Sequence, residues 1–418
     1  MGWQLVIGKL SSRVKGFLRG RKTAVSPPIF CLFLLVACSS PIEPEEAPAA
    51  SEAQTGYQTQ DGEQPVDQLS NFSALVEQTR IENGIPGVGV ALVQGSEIIF
   101  AEGFGERELG GGESVTHETL FHIGSTHKSI TAMLIATLVD DDLLGWDTPI
   151  VELYPDFELA TPDATQQVTI RHLLSMSSGI PAEAEDEFGD EIETAEDIFA
   201  LLPQMALASQ PGTEFSYSNI STSIAGYVGV IAADEGTNQL YNGYDQLLQE
   251  RIFGPIGMET ATMAVEEAWA NPNHSASHIF TANDEVIVAE SYDFTGDPLA
   301  PSGAIKASVM DMARYLSTQL ERGIAPDGTQ VVSEANLVET WQPQIEDSES
   351  GEQYGLGWGM VQQNGFDIIL HDGSYDNFSS LLIFLPEVDM GMVLLTNIDD
   401  PGDFLEDVSE AFIELAIE

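Results

Sequence analysis

The stretch from Phe121 to Asp140, FHIGSTHKSITAMLIATLVD, constrains the fold of this chain most. It contains no proline or glycine between Gly124 and Gly145. A serine just before an apolar run favours a helix start, so the stretch predicts a buried helix that begins near Ser125. Lys128 lies three residues further on and shares the serine's face of that helix. Because its neighbours are apolar, we expect a partly desolvated, neutral amine that can activate the serine as a nucleophile.

Two distant stretches supply further groups for such a site. In FSYSN, Tyr217 and Asn219 are two residues apart in a predicted extended loop, where their side chains project to the same side. In IILHDGS, His371 and Gly373 lie on a predicted strand that enters a turn, followed by Ser374. Each stretch alone also fits a plain polar turn or strand end. The three together, in this order, are far more specific.

With its S-x-x-K, Y-x-N and H-x-G motifs, the chain resembles the serine β-lactamase and penicillin-binding-protein superfamily, in its class C-related serine hydrolase branch. The similarity extends beyond the motifs to TIRHLLSMSSGI, PGTEFSYSN, ERIFGPIGM, APSGAI and the late stretches YGLGW, HDGS, FSSLLIFLPE and VLLTN. It covers nearly all of the chain from about residue 70 to residue 418. The branch includes esterases, D-aminopeptidases and DD-peptidases.

The resemblance implies an acyl-enzyme mechanism without a cofactor or a metal ion. Ser125 attacks a carbonyl, and Lys128 and Tyr217 share the work of the general base, with Tyr217 returning a proton to the leaving group. Asn219 binds the substrate amide. The backbone N–H groups of Ser125 and Ser374 form the oxyanion hole, which the helix N-terminus assists.

The third motif carries two departures from the family pattern. His371 replaces the usual lysine and is expected to hydrogen-bond the substrate or Tyr217. If it titrates near its ordinary value, activity changes between about pH 5.5 and 7.5. Asp372 occupies a position that is usually small or neutral, and strand alternation predicts that it contributes surface acidity only. His127, between Ser125 and Lys128, is expected to pack in the core rather than assist catalysis.

The N-terminal segment predicts export. Residues 1–28 are basic and without acids, and a short apolar run from Ile29 to Ala37 ends at Cys38. We interpret residues 1–37 as a signal peptide, Cys38 as a lipidated cysteine and residues 38–67 as a disordered linker. These features predict a lipid-anchored protein on the periplasmic side of the cell envelope, in contact with the membrane only through its N-terminal lipid.

The charge of the chain is strongly acidic. It has 14 Lys and Arg residues against 67 Asp and Glu residues, a net charge of −53. Such a surface is a poor partner for nucleic acid, and it suggests adaptation to high salt. The acidic loop 183–196 is predicted to form part of the cleft rim and to disfavour anionic substrates.

Residues 68–418 are predicted to form one β-lactamase-like serine hydrolase domain of the α+β class. Two early strands within 86–107, a helical middle and four late strands do not alternate as a parallel sheet would require. We therefore expect an antiparallel sheet flanked by helices, with a mostly helical subdomain at about 145–300 inserted between the early and late strands. The opening helix is predicted at 68–82 and the last at 403–417.

The leading functional prediction is an envelope-anchored serine hydrolase that cleaves an ester or peptide-like carbonyl through an acyl-Ser125 intermediate. Its substrates would be small molecules, including fragments derived from peptidoglycan. One alternative is a true β-lactamase or DD-carboxypeptidase that acts on penicillins or peptidoglycan. Another, from a different class, is a catalytically silent lipoprotein that binds peptidoglycan or a partner through the same cleft. An α/β-hydrolase is disfavoured because the chain contains no G-x-S-x-G motif.

Overall fold

The computed structural model of the chain describes residues 64–233 and 239–417. The predicted signal peptide, Cys38 and the linker up to residue 63 lie outside these residues. The first helix begins at Gln64, four residues before the predicted start, so the predicted linker ends earlier than expected.

The described residues form fourteen α-helices, most of them in the middle of the chain. They are α1 (Gln64–Glu82), α2 (His127–Asp140), α3 (Ile150–Leu153), α4 (Pro162–Gln167), α5 (Ile170–Leu174), α6 (Ala184–Phe188), α7 (Ala195–Leu201), α8 (Asn219–Ala232), α9 (Leu240–Leu248), α10 (Gly254–Ile256), α11 (Val265–Ala270), α12 (Val309–Leu320), α13 (Glu334–Glu339) and α14 (Phe404–Ile417). A π-helical segment, Gln249–Phe253, joins α9 to α10.

The strands are β1 (Gly87–Gln94), β2 (Glu97–Gly105), β3 (Phe121–His122), β4 (His278–Phe280), β5 (Val286–Val288), β6 (Lys306–Ala307), β7 (Ile345–Glu346), β8 (Gln353–Tyr354), β9 (Gly359–Gln363), β10 (Phe366–Tyr375), β11 (Phe378–Leu385) and β12 (Met390–Thr396). Eight of them form one antiparallel sheet in the order β2-β1-β12-β11-β10-β9-β8-β7. The first strand therefore pairs with the last, which confirms the predicted antiparallel sheet shared by both ends of the chain.

Helices cover both faces of this sheet. On one face, α1 and α14 contribute Phe72, Val76, Phe404 and Phe412 to a cluster with strand residues such as Leu381. On the other face, α2, α8 and α12 share the larger cluster. Every residue of α2 from His127 to Leu138 is buried, as the apolar stretch predicts. Of the helices in the described ranges, none is long and apolar enough to cross a bilayer.

The helical middle of the chain lies between β3 and β6, interrupted by the β4–β5 hairpin. Side-chain caps define where two of its helices begin. Thr169 caps α5 in a capping box with His172, and Ser218 caps α8 by accepting a hydrogen bond from Ser221 N. As a result Asn219 is the first residue of α8, not part of the extended loop that we predict.

Candidate active site

Ser125 lies in a short 3₁₀ turn, Gly124–Thr126, which leads directly into α2. The turn packs against β10 beyond Leu370, the last residue of that strand to pair with β9. The approach is so close that it requires glycine on both sides. A Cβ atom on Gly373 would lie 2.8 Å from Ser125 N, and one on Gly124 would lie 2.7 Å from Ser374 N. The backbone amides of Ser125 and Ser374 are thus held next to each other.

Lys128 is fully buried one helical turn after the serine. Its Nζ lies 2.8 Å from Ser125 Oγ and 2.9 Å from the carbonyl oxygen of Ser302. Burial lowers the pKa of Lys128 to about 7, against the opposing effect of the carboxylates of Glu185 and Asp372. A large share of the amine is therefore neutral near neutral pH, as the apolar surroundings predict.

The loop before α8 brings Tyr217 to the same place. Lys128 Nζ lies 4.9 Å from the centre of the Tyr217 ring. Burial raises the pKa of the Tyr217 hydroxyl far above its ordinary value, although a hydrogen bond with Ser125 opposes this. The phenol therefore stays protonated, which suits it to donate a proton rather than to remove one.

Asn219 lies on the wall of the cleft in front of Ser125. Its Nδ2 donates a hydrogen bond to Glu185 Oε2 at 2.7 Å. Its Oδ1 is buried and accepts no hydrogen bond from the residues that the structure describes. This oxygen is available to accept a hydrogen bond from a bound molecule.

The structure places His371 differently from the prediction. The ring is fully buried, Nδ1 lies 2.5 Å from the carbonyl oxygen of Asp372, and Nε2 lies 3.0 Å from the Tyr354 hydroxyl. Since Nδ1 must donate to the carbonyl, the neutral ring accepts from Tyr354 through Nε2. Burial, with a contribution from Lys128, lowers the pKa of His371 to about 3. The expected change in activity between pH 5.5 and 7.5 therefore cannot come from titration of His371. Instead, the ring packs against Tyr354 and lies behind the Tyr217 ring.

Asp372 also departs from the prediction, because it does not lie on the outer surface. Only 7% of it is exposed, and it lines the same cleft as Ser125, Gly373 and Ser374. Burial raises the pKa of the Asp372 carboxyl to about 6. Because successive side chains of a strand point to opposite faces, Asp372 points away from His371, as expected. The cleft extends around the open edge of β10, however, and so the Asp372 side chain lines it.

The cleft has a volume of about 1130 Å³ and an acidic lining. Glu183 and Glu185 belong to it, which confirms that the acidic loop 183–196 contributes to the rim. The structure therefore brings together Ser125, Lys128, Tyr217, Asn219, Gly373 and Ser374, and it leaves His371 behind the Tyr217 ring at 6.3 Å between ring centres.

Sequence reasoning missed two groups that contact the site. Ser302 supplies the carbonyl that holds Lys128 Nζ, and Glu185 orients Asn219. The APSGAI stretch belongs to the family resemblance and contains Ser302, but it does not indicate that Ser302 contacts Lys128.

His127 packs as predicted, with Nε2 2.9 Å from the Tyr244 hydroxyl. Within the described ranges, no group of three or more His, Cys, Asp or Glu residues is arranged to hold a metal ion.

Comparison with known proteins decides the family. The profile of the family described as Beta-lactamase matches residues 72–414, which is most of the chain. The chain belongs to this family. This agrees with the superfamily that its three motifs predict.

Two relatives illustrate the range of this family. The chain is 28% identical over 354 residues to the unguisins hydrolase ungD' of Aspergillus campestris, covering 81% of this chain and 63% of that protein. It is 28% identical over 337 residues to penicillin-binding protein 4 of Amycolatopsis lactamdurans, covering 78% of this chain and 83% of that protein. The chain thus spans less than two thirds of the fungal hydrolase.

A solved structure confirms the fold. The octameric penicillin-binding protein homologue from Pyrococcus abyssi superposes with a TM-score of 0.71 at 23% identity. The match covers 83% of this chain and 77% of that chain. The predicted α+β architecture of the β-lactamase type is therefore correct.

Proposed function

We propose that the protein is an envelope-anchored hydrolase that cleaves a small ester or peptide-like carbonyl through an acyl-Ser125 intermediate. One observation supports this most directly: the buried Lys128 Nζ lies 2.8 Å from Ser125 Oγ. A lysine with a pKa of about 7 is a usable base at neutral pH. The alternative of a silent binding protein would not need this buried amine.

In the acylation step, Ser125 Oγ forms a bond to the substrate carbonyl carbon and its proton passes to Lys128 Nζ. The negative charge that develops on the carbonyl oxygen is stabilised by the N–H groups of Ser125 and Ser374. The N-terminal end of α2 adds its dipole to the same position. The adjacent backbones of the turn and β10 provide the support for this arrangement.

Collapse of the tetrahedral intermediate breaks the bond to the leaving group. Tyr217 donates its phenolic proton to the departing oxygen or nitrogen and recovers a proton from the Lys128 ammonium. Water then attacks the acyl-enzyme, with its proton taken up by the same pair. The product acid leaves, and Ser125 regains its proton. Because Tyr217 stays protonated in the resting site, Lys128 is the base and Tyr217 is the proton donor.

The acidic cleft favours an ester or peptide substrate over a penicillin. Penicillins carry a carboxylate, which the carboxylates that line this cleft would repel. The similarity to a penicillin-binding protein keeps the β-lactamase or DD-carboxypeptidase function as the second candidate. Anchoring through Cys38 is supported by the basic and apolar segments that precede it.

Mass spectrometry of the protein from membranes tests this proposal. After treatment with a fluorophosphonate, we expect a phosphonate adduct on Ser125 and none in Ser125→Ala. After treatment with a penicillin, we expect no penicilloyl adduct, and the N-terminal peptide should carry lipid on Cys38. A phosphonate adduct at another residue would reject acyl-Ser125 chemistry, and a penicilloyl-Ser125 adduct would favour the second candidate. A Cys38 without lipid would reject anchoring alone.

A further inference from the structure

The cleft in front of Ser125 contains an unusual excess of negative charge. Among the described residues that line it, none is lysine, arginine or histidine. Nine are acids: Glu183, Glu185, Glu214, Asp347, Glu349, Asp372, Asp399, Asp400 and Glu406. Most of them are open to water, where such charges cost little. Three of the nine, Asp347, Asp372 and Glu406, are buried instead.

Asp372 is an incompletely paired acid inside this cleft. Its residue is 7% exposed, and its Oδ1 makes no hydrogen bond within the described residues. A buried carboxylate without a partner is unfavourable, and proteins normally supply one. The position next to Gly373 and Ser374 places this carboxylate beside the proposed oxyanion hole.

The other cations of the described chain cannot provide the missing partner. Seven of the eight form ion pairs with acids elsewhere: Arg80 with Glu77, Arg107 with Glu113, Arg171 with Asp147, Arg251 with Asp141, Lys306 with Asp293, Arg314 with Asp311 and Arg322 with Glu334. Each of these pairs lies outside the cleft lining. Only Lys128 remains near Asp372.

Lys128 cannot fill this role during the reaction. It must be neutral to accept the proton of Ser125, and a neutral amine leaves Asp372 without a counter-ion at that moment. Asn219 Oδ1, in the lining of the same cleft, is a second buried acceptor without a donor in the described structure. These two acceptor atoms, Asp372 Oδ1 and Asn219 Oδ1, fit a ligand group that can only donate hydrogen bonds.

We propose that Asp372 is a specificity residue that binds a cationic group of the substrate, an ammonium near the scissile carbonyl. This inference rests on the proposed function, since it names the substrate class of the same site. The ammonium replaces Lys128 as counter-ion of Asp372 and leaves the lysine free to act as base. Asn219 Oδ1 accepts a further hydrogen bond from the same group or from the neighbouring amide.

Two matched pairs of esters test the proposal, each with an ammonium replaced by an uncharged group of the same shape. The p-nitrophenyl esters of β-alanine and butanoic acid differ on the acyl side. Protonated 3-(dimethylamino)propyl acetate and 4-methylpentyl acetate differ on the alcohol side, and the ammonium group of each cationic ester carries an N–H donor. At about pH 8 these ammonium groups keep their charge and most of Lys128 is neutral. Values of kcat/KM are divided by the rates of hydroxide hydrolysis before the members of a pair are compared.

The wild-type protein should prefer the cation of at least one pair by about ten- to hundred-fold. Asp372→Asn, which keeps the shape of the side chain, should bring that preference to within about threefold of unity. Asp400→Asn is the matched control, because Asp400 is an exposed acid of the same cleft. It should change the preference by less than about twofold.

Several outcomes would overturn the proposal. They are the absence of a cation preference in both pairs, its persistence in Asp372→Asn, or an equal loss in Asp400→Asn. If Asp372→Asn does not fold, inhibition of the wild-type protein decides: butylammonium chloride should compete with the neutral butanoate ester, and sodium chloride at the same concentration should not. Butylammonium without effect would reject the site. Hydrolysis of the neutral esters that survives in Ser125→Ala would reject the proposed function instead.

Discussion

The burial of Lys128 has a measurable consequence for activity. Its pKa is lowered from 10.5 to about 7, with burial as the main cause. Because only the neutral amine can accept the Ser125 proton, we expect kcat/KM for a neutral ester to rise with pH. The rise should be about tenfold per unit below pH 7, with a plateau above about pH 8. A pH–rate profile from pH 5 to 9 measures it.

Two variants show whether the rise of kcat/KM with pH comes from Lys128 or from His371. Lys128→Met should have a kcat/KM lower by about 10²- to 10⁴-fold, and its kcat/KM should no longer rise with pH. His371→Gln should keep the rise, since the low pKa of His371 places its titration below this range. A flat wild-type profile, or one that becomes flat in His371→Gln, would contradict the assignment of the base to Lys128.

The lowered pKa of Lys128 also makes folding stability depend on pH. The unfolded chain binds a proton at Lys128 up to about pH 10.5, while the folded chain releases it near pH 7. The unfolded state therefore holds more protons between these values, and this lysine lowers stability most at and below pH 7. Its destabilising effect fades as the pH approaches 10.5. The surrounding packing thus holds Lys128, the proposed base, in place at a cost to stability.

At the residue scale, the sequence predicts which groups meet but not how each is surrounded. The desolvation of Lys128 follows from its apolar helix neighbours, so its neutral state is predictable. The state of His371 depends on Tyr354 and on the backbone of Asp372, contacts that no local pattern contains. Asp372 lies on the expected side of β10, but a cleft that extends around a strand edge is a property of the assembled fold.

At the element scale, the contact between the Ser125 turn and β10 determines the site. A Cβ atom on Gly373 would lie 2.6 Å from Ser380 Oγ and 2.8 Å from Ser125 N. Gly373→Ala should therefore separate β10 from the turn, with a loss of about 1–3 kcal/mol in the free energy of unfolding. The two N–H groups that we propose form the oxyanion hole would move apart, so we expect kcat to fall by about 10²- to 10³-fold. Urea unfolding and steady-state kinetics measure the two effects.

Gly189→Ala is the matched control for this substitution. Gly189 begins a short 3₁₀ turn, has a φ of −56°, and a Cβ atom there would meet no atom within 4 Å. We expect stability within about 0.5 kcal/mol of the wild type and unchanged kcat. If Gly373→Ala behaves like this control, the close packing of turn and strand is not what holds the oxyanion hole.

The elements themselves are largely predictable because their signals are local. The Gly95-Ser96 turn between β1 and β2, the Thr169 cap of α5 and the late strands all follow from the residues within each segment. The order of the strands does not, since β1 pairs with β12 across about 300 residues of chain. Asn219 illustrates the limit at element boundaries, because the cap at Ser218 draws it into α8.

At the scale of the whole molecule, repulsion between acids is the dominant electrostatic feature. Beyond residue 22 the chain has 8 basic and 67 acidic residues, so its charge there is 8 − 67 = −59. Among the described residues, seven of the eight basic side chains are paired with acids, and the acids far outnumber these cations. Self-repulsion of this size destabilises the compact state, and added salt weakens it.

We therefore expect the thermal midpoint of unfolding to rise by roughly 5–15 °C between 0.1 and 2 M NaCl, because the Debye length falls from about 10 Å to about 2 Å. Sucrose of equal osmolality should raise it much less, because sucrose does not screen charge. Calorimetry in the two series separates the effects. If the thermal midpoint does not change with NaCl, or if sucrose raises it as much as NaCl does, the acidic surface is not an adaptation to high salt. Since the same charges line the cleft, salt should also weaken its attraction for an ammonium substrate, so activity assays and stability assays should be run at matched salt concentrations.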